Sequence, residues 1–445
     1  MSGEVRAIFE PKSVVLVGAS AKERVGAASP VFFGSLVHNT LRFFKGKTHV
    51  VDFSGRLDGA VKNLDQVPSG CDIAVMVLPP KLVMKNLRKL FARKVKAMVL
   101  VAGGFDQHQL EELTRAAAKQ KVRVLGPNVL AGVINTTKGL CITLERGLMP
   151  PCGGIAMISQ NCAVGTAMLD RACAYSVGVS KFASIGEGAD ITETDLLEFL
   201  THDKETKVIC IYLESVRDGR RFLESIREAV QKKPVVVLKG STVREGVERN
   251  RIFVAALKQV GALQVSDIEE LLSVADALAK QPCMRGNRVA VVTNVSGPAV
   301  LVADVLSREG LALAKLSDNI IKKIIQKYPN INIADWVDLG IDANGDRYKF
   351  VLEQVLSDSG VDGVVVVNEL KSTFLKLEDV QEAAKAVKKS KNTPVIDIVM
   401  CGEDCVLVRN ELRDKNVCVY DSPRKAAQAL CALCSYGKIL KKVGK

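Results

Sequence analysis

Three short turns carry the residue types that chemistry on an anion would need. The first, Gly18-Ala19-Ser20-Ala21-Lys22-Glu23-Arg24-Val25-Gly26, follows the apolar run 13–17 and precedes a helical pattern. The second, Ser159-Gln160-Asn161-Cys162, follows the run 154–158, and the third, from Asn294 to Pro298, follows 288–292. Unpaired backbone N–H groups and the positive end of a helix dipole make such turns suitable for phosphate. Gln160, Asn161 and Cys162 could hold one phosphate. The first turn lacks the G-x-G-x-x-G spacing of a dinucleotide site. Two readings of it stay open: a nucleotide with several phosphates met by Ser20, Lys22 and Arg24, or plain turn-building. Small residues at strand-to-helix turns also serve packing alone, so that alternative stands for the other two.

Nucleophilic and metal chemistry have less to draw on. The chain has four histidines, His38, His49, His108 and His202, and none follows position 202. Their settings (a first-domain helix, a strand start, a helix start and the polar turn Thr201-His202-Asp203-Lys204) fit ordinary structural roles. Five of the twelve cysteines gather at Cys401, Cys405, Cys418, Cys431 and Cys434. Cys431 and Cys434 form a C-x-x-C inside a helical pattern, where i and i+3 share a face. With no histidine beside them they read as small apolar core residues, and no metal site is assigned.

The elements that must position these turns are legible from apolar runs. Continuous Val/Ile/Leu stretches recur at 73–78, 97–101, 122–125, 208–213, 235–238, 363–367 and 395–399, as parallel strands covered on both faces require. Helical patterns alternate with them, among others at 195–200, 219–230, 266–278 and 422–436. This is α/β throughout, a set of doubly wound domains whose ligand sites lie beyond the C-terminal strand ends. Pro and Gly clusters at 147–153 and 281–286 set boundaries, giving domains 1–146, 152–281 and 286–438.

Composition bounds the class. In 445 residues, 48% are apolar and 25% charged, ordinary for a globular protein. No uninterrupted apolar window nears the roughly 18 residues of a membrane span, and the N-terminus lacks a signal-peptide core. Twelve cysteines in a chain this long suit a reducing cytoplasm rather than a disulfide scaffold. The net charge of +13 would suit nucleic acid or anionic small molecules. Only 5% of residues are aromatic and no zinc-finger or RNA-binding signature occurs, so neither nucleic acid nor membrane is expected as a partner. The basic tail with Lys438, Lys441, Lys442 and Lys445 reads as solvated.

Further motifs point to a family. They are Val101-Ala102-Gly103-Gly104-Phe105, Gly126-Pro127-Asn128, Gly147-Leu148-Met149-Pro150-Pro151, Ile158-Ser159-Gln160 and 211–220, Ile-Tyr-Leu-Glu-Ser-Val-Arg-Asp-Gly-Arg. The series continues through 288–298, Val337-Asp338-Leu339-Gly340 and Val419-Tyr420-Asp421-Ser422-Pro423. Taken in order, they make the chain resemble the α subunits of NDP-forming acyl-CoA synthetases, most closely the archaeal ADP-forming acetate–CoA ligase type. Succinyl-CoA synthetase α subunits are more distant relatives. The resemblance implies an N-terminal Rossmann-like CoA-binding domain followed by two flavodoxin-like ligase domains. It implies CoA held by Gly18, Ser20, Lys22, Gly26, Gly104, Phe105, Pro127 and Asn128, and phosphate held by Gln160, Asn161 and Cys162. Glu214 matches the carboxylate that orients a phosphorylated histidine. The reaction implied is acyl-CoA, ADP and phosphate to acid, CoA and ATP, with ADP and ATP handled only by a partner ATP-grasp β subunit in a homo- or hetero-oligomer.

The sequence departs from that pattern where phosphoryl transfer would occur. The family's Ser-Ser-His-Thr-Gly loop, expected after the 235–238 strand, is missing from 239–261. Asn161-Cys162 stands where the family has Ser-Gly, Glu187 stands for an Asn, and Ala131 is an extra residue after Gly126-Pro127-Asn128. A catalytically degenerate relative that binds CoA or acyl-CoA as a scaffold or sensor is the alternative function.

Overall fold

In the computed structural model, residues 2–19, 30–240, 247–371, 374–387, 392–400 and 404–442 are described. Contacts divide the chain into two compact units, 1–264 and 265–445. The described strands form three sheets.

In the first unit, β1 (Ser13–Gly18), β2 (Lys47–Asp52), β3 (Ile73–Met76), β4 (Ala97–Leu100) and β5 (Arg123–Leu125) form one parallel sheet in the order β2-β1-β3-β4-β5. The second sheet contains β6 (Val133–Asn135), β7 (Leu140–Ile142), β8 (Cys152–Ser159), β9 (Val179–Ser184), β10 (Val208–Leu213), β11 (Val235–Lys239) and β12 (Leu263–Val265). Its order is β12-β11-β10-β8-β9-β6-β7. Within it, β9-β8-β10-β11-β12 repeats the winding of the first sheet. The strands are near-continuous β-branched runs, and Val235, Val236, Val237, Ile209 and Ile211 are all buried, as strands sandwiched between helix layers must be.

Two features of this unit differ from the all-parallel expectation. β6 pairs antiparallel with both β7 and β9. Residues 133–142 thus add to the second sheet, although the sequence boundary at 147 groups them with the first. Three-residue strands are too short to give a periodic signal. One apolar core runs from Val5 and Phe9 through Val99 and Leu125 to Ile158, Ile211 and Val237, so both sheets share it.

The second unit holds β13 (Arg288–Thr293), β14 (Ala312–Leu313), β15 (Asn332–Ile333), β16 (Val337–Asp338), β17 (Gly363–Glu369), β18 (Val395–Met400) and β19 (Val419–Tyr420). The path is β15-β16-β13-β17-β18-β19, with β14 paired to β13. Here again the first strand, β13, lies inside the sheet, with β16 on one side and β17 on the other, in the doubly wound manner. The helix Ile268–Lys280, which the sequence boundary groups with the middle domain, packs against the helix Pro423–Lys442. Tyr420 Oη donates to the Ser273 carbonyl at 2.6 Å and fixes that helix to this sheet.

Candidate functional site

Doubly wound sheets open a crevice where consecutive crossovers leave in opposite directions. In the second sheet that point lies between β8 and β10, and Gln160 and Glu214 each follow the last residue of those two strands. Gln160 spends both ends of its carboxamide on the β10 exit. Its Oε1 accepts from the Glu214 amide at 2.6 Å and the Ser215 amide at 3.0 Å. Its Nε2 donates to the Ser215 carbonyl at 2.7 Å and to Glu193 Oε2 at 3.3 Å. Burial raises the Glu193 carboxyl above its ordinary value, against the pull of its hydrogen bonds and of Arg217.

Asn161 caps the helix Cys162–Ala174, its Oδ1 accepting from the Val164 amide at 3.1 Å. Its Nδ2 donates to Glu214 Oε1 at 3.1 Å, and Tyr212 Oη donates to the same oxygen at 3.1 Å. Burial first, then the neighbouring Glu214 charge, pushes the Tyr212 phenol up to about 12, so it stays a donor. Cys162 opens the helix half-buried, with a thiol raised above its ordinary value by burial. A raised thiol is a poor nucleophile, and packing at the helix start explains it better.

The first sheet brings its own turn to this place. Glu187 donates its amide to the Pro127 carbonyl at 2.8 Å, and Ala189 donates to the Gly126 carbonyl at 2.9 Å. Gly186 has φ of 64°, and a Cβ on it would collide with the Pro127 carbonyl, so only glycine permits this approach. A Cβ on Gly103 would lie 3.3 Å from Asn128 and from Glu187 Oε1. Pro127, Asn128, Gly103 and Glu187 therefore converge, while Gly104 is exposed and Phe105 half-buried beside them in sequence. Gly18 ends β1, with Phe33 packed where its Cβ would go. Ser20, Lys22 and Gly26 lie outside the described residues, as do residues 241–246 of the 239–261 segment.

None of the four histidines is bonded to this centre. His38 Nδ1 lies 3.2 Å from Arg146 Nη2, and His202 pairs with Glu228 at 3.2 Å on an exposed surface. His49 is half-buried on β2, and His108 is exposed on the helix Gln107–Lys119. At the third turn, Asn294 exchanges hydrogen bonds with the backbone of Glu369, at 2.8 and 3.1 Å, and Ser296 Oγ donates to Asp338. These side chains are engaged by the protein's own backbone and by Asp338, as packing at that turn requires. Among the described residues one grouping of acids could hold a metal ion: Glu10, Asp203 and Glu205. The buried Lys181 ammonium already sits among them, 2.8 Å from Asp203 and 2.6 Å from Glu205.

Sequence reasoning missed Gln160 as a clamp, Glu193, and Arg217, whose guanidinium donates to the carbonyls of Glu187 at 2.7 Å and Gly188 at 2.8 Å. The only available signal for Arg217 was its place three residues after Glu214.

A doubly wound α/β chain whose carboxylate and glycine turns meet at a crevice is the class defined by this geometry, and comparison with known proteins narrows it. Residues 12–133 match the CoA binding domain family, and 152–278 match the succinyl-CoA ligase like flavodoxin domain family. The chain is 31% identical to the α subunit of ADP-forming acetate–CoA ligase II from Pyrococcus furiosus, over 97% of each chain. It is 30% identical to the ADP-forming 4-hydroxybutyrate–CoA ligase of Nitrosopumilus maritimus, covering 98% of itself but 64% of that longer chain. A dinucleotide forming acetyl-coenzyme A synthetase from Ca. Korarchaeum cryptofilum, solved with phosphate and ADP, superposes with a TM-score of 0.88 at 26% identity, over 100% of this chain and 99% of that one. The chain belongs to the family of α subunits of ADP-forming acid–CoA ligases.

Proposed function

We propose that the chain is the acyl-CoA-handling subunit of an ADP-forming acid–CoA ligase, which turns acyl-CoA, ADP and phosphate into acid, CoA and ATP. The observation that carries this reading is its end-to-end similarity to an α subunit of such a ligase. The convergence of the Pro127-Asn128 turn with the Glu187 turn, close to a Glu214 carboxylate held by two donors, supports it. CoA would lie along the first sheet's turns, with Gly18, Ser20, Lys22, Gly26, Gly104, Phe105, Pro127 and Asn128 as its contacts. The bare backbone at Gly103 and Gly104 suits a diphosphate or thioester passing close. Phosphate would meet the start of the Cys162–Ala174 helix, where amide groups and the dipole favour an anion. ADP and ATP would bind an ATP-grasp β subunit, and relatives half as long again as this chain support a missing portion supplied by a partner. A cytoplasmic setting suits the free cysteines.

Titration calorimetry of the full chain tests the CoA assignment. CoA should bind with an affinity that falls as salt rises, because its phosphates are met by charge. Clear heat with NAD and none with CoA would sink the reading.

A second reading rests on two observations: the chain has no histidine beyond position 202, and Glu214 Oε1 is already engaged by Asn161 and Tyr212. On this reading the protein binds CoA or acyl-CoA as a scaffold or sensor and does not pass phosphate to ADP.

A further inference from the structure

Arg217 is exposed, yet its two terminal nitrogens are both committed to backbone. They reach two successive carbonyls, Glu187 and Gly188, which the left-handed glycines Gly186 and Gly188 turn toward one fork. A planar guanidinium is suited to such paired acceptors in a way that a lysine ammonium is not. Its charge also faces the buried carboxylate Glu193, which Gln160 ties to Ser215.

These contacts form a closed path. Glu214 and Arg217 lie on one connection, between β10 and the helix Gly219–Val230. Arg217 holds the 187–188 carbonyls, while the neighbouring amides of Glu187 and Ala189 hold the carbonyls of Pro127 and Gly126. Among the described residues, a second polar link from this side to the first sheet is the Asp195 carboxylate, shared by Arg221 and by Arg123 of β5, but it does not touch the 187–188 carbonyls.

We infer that Arg217 is a positioning residue, which fixes the Glu214 connection against the Gly126-Pro127-Asn128 turn so that a ligand on the turn is presented to Glu214. This rests on the proposed binding of CoA at that turn. A positioning role predicts that occupancy of the turn is felt at 213–216 through Arg217, because a reacting group and its catalytic partner lose effective molarity when their supports move independently.

The test is hydrogen exchange on the full chain, free and with CoA, for the wild type, Arg217→Ala and Arg217→Lys, with CoA affinity measured by calorimetry. In the free protein, Arg217→Ala should speed exchange of the Glu187 and Ala189 amides, and this arm needs no ligand. With CoA, the wild type should gain protection at 126–131 and at 213–216. Arg217→Ala should keep the first and lose the second, with CoA affinity changed by no more than about twofold. Arg217→Lys should restore part of it, since an ammonium can still reach one carbonyl. Undiminished protection at 213–216 in Arg217→Ala would overturn the inference, and so would a collapse of CoA affinity in that variant. A wild type in which CoA protects neither segment would instead defeat the CoA reading, with the ligand-free arm still reporting on the clamp.

Discussion

Asp397 is a carboxylic acid placed where a carboxylate is costly. It lies on β18 among apolar neighbours, 3% exposed, and the described side chain bonded to it is Asn368, Nδ2 to Oδ1 at 3.4 Å. Its Oδ2 and the Asn368 Oδ1 are buried without hydrogen-bond partners. Two acceptors left facing an apolar core are best satisfied if one of them carries a proton. Burial, only partly offset by Asn368, accordingly raises the Asp397 carboxyl to about 7. The folded value lies above the ordinary value of about 3.9, so the folded state holds a proton that the unfolded state releases. Stability should therefore fall as pH rises from about 4 to about 7, and level off above that. Urea titrations of wild type and Asp397→Asn across this range check the sign: the variant should lose the slope, and an unchanged slope would place its origin elsewhere. None of this was legible in the sequence, where Val395-Ile396-Asp397-Ile398-Val399 reads as a buried strand with one polar interruption. Gln160 and Asn161 were legible because a strand-to-helix turn announces its position, whereas Glu214 was singled out only by the family resemblance. Their individual duties were not, since Gln160 turns both amide ends to the 214–215 connection and only the fold places that connection beside it.

At the scale of elements, the first unit is tied by a charged knot as well as by its shared core. Lys181 on β9 is fully buried, with Asp203 at 2.8 Å, Glu205 at 2.6 Å and Glu10, just after the helix Ser2–Phe9, at 3.9 Å. Burial opposes ionisation of Asp203, but the Lys181 ammonium and the Thr206 hydroxyl outweigh it and hold the carboxyl below its ordinary value. Removing the cation leaves the buried Asp203 carboxylate without its ion-pair partner, which costs about 3–5 kcal/mol. Lys181→Met should lower the stability of this unit by that order in chemical denaturation. A change within about 0.5 kcal/mol would mean that the acids escape to water on their own. The depressed carboxylates contribute stability above the ordinary carboxylate range, and the wild type should lose it as pH falls below about 4. The main strands and helices were readable because their apolar runs are long: the pattern at 219–230 matches the helix Gly219–Val230 residue for residue. The β6 and β7 strands were not, being three residues each and paired across the expected boundary. A lysine in a strand, such as Lys181, ordinarily signals a solvent-facing position, and only tertiary partners reverse that.

For the whole molecule, the decisive question is where phosphate goes. A histidine intermediate divides one hard transfer into two easier ones, and it needs a neutral imidazole next to an orienting carboxylate. Glu214 is the proposed orienting carboxylate, yet His38, His49, His108 and His202 are each bonded or placed elsewhere. The chain from 203 onward offers no imidazole at all, whatever conformation residues 241–246 take. Glu187, the residue that replaces the family's Asn, keeps its carboxylate close to Gly103 and supplies no imidazole in its place. Phosphoryl transfer onto this chain should therefore be negligible. Incubating the protein and an ATP-grasp partner with γ-labelled ATP, then comparing parallel base-treated and acid-treated samples, checks it: this chain should carry no label that base retains and acid releases. ATP synthesis from acetyl-CoA, ADP and phosphate that survives separate replacement of all four histidines would show phosphate travelling by a route without an imidazole. It would leave the ligase reading intact and remove the scaffold reading. Acid-labile label lost in one histidine variant alone would instead name that residue as the acceptor, and would require the fold to bring it to Glu214 in the assembled enzyme.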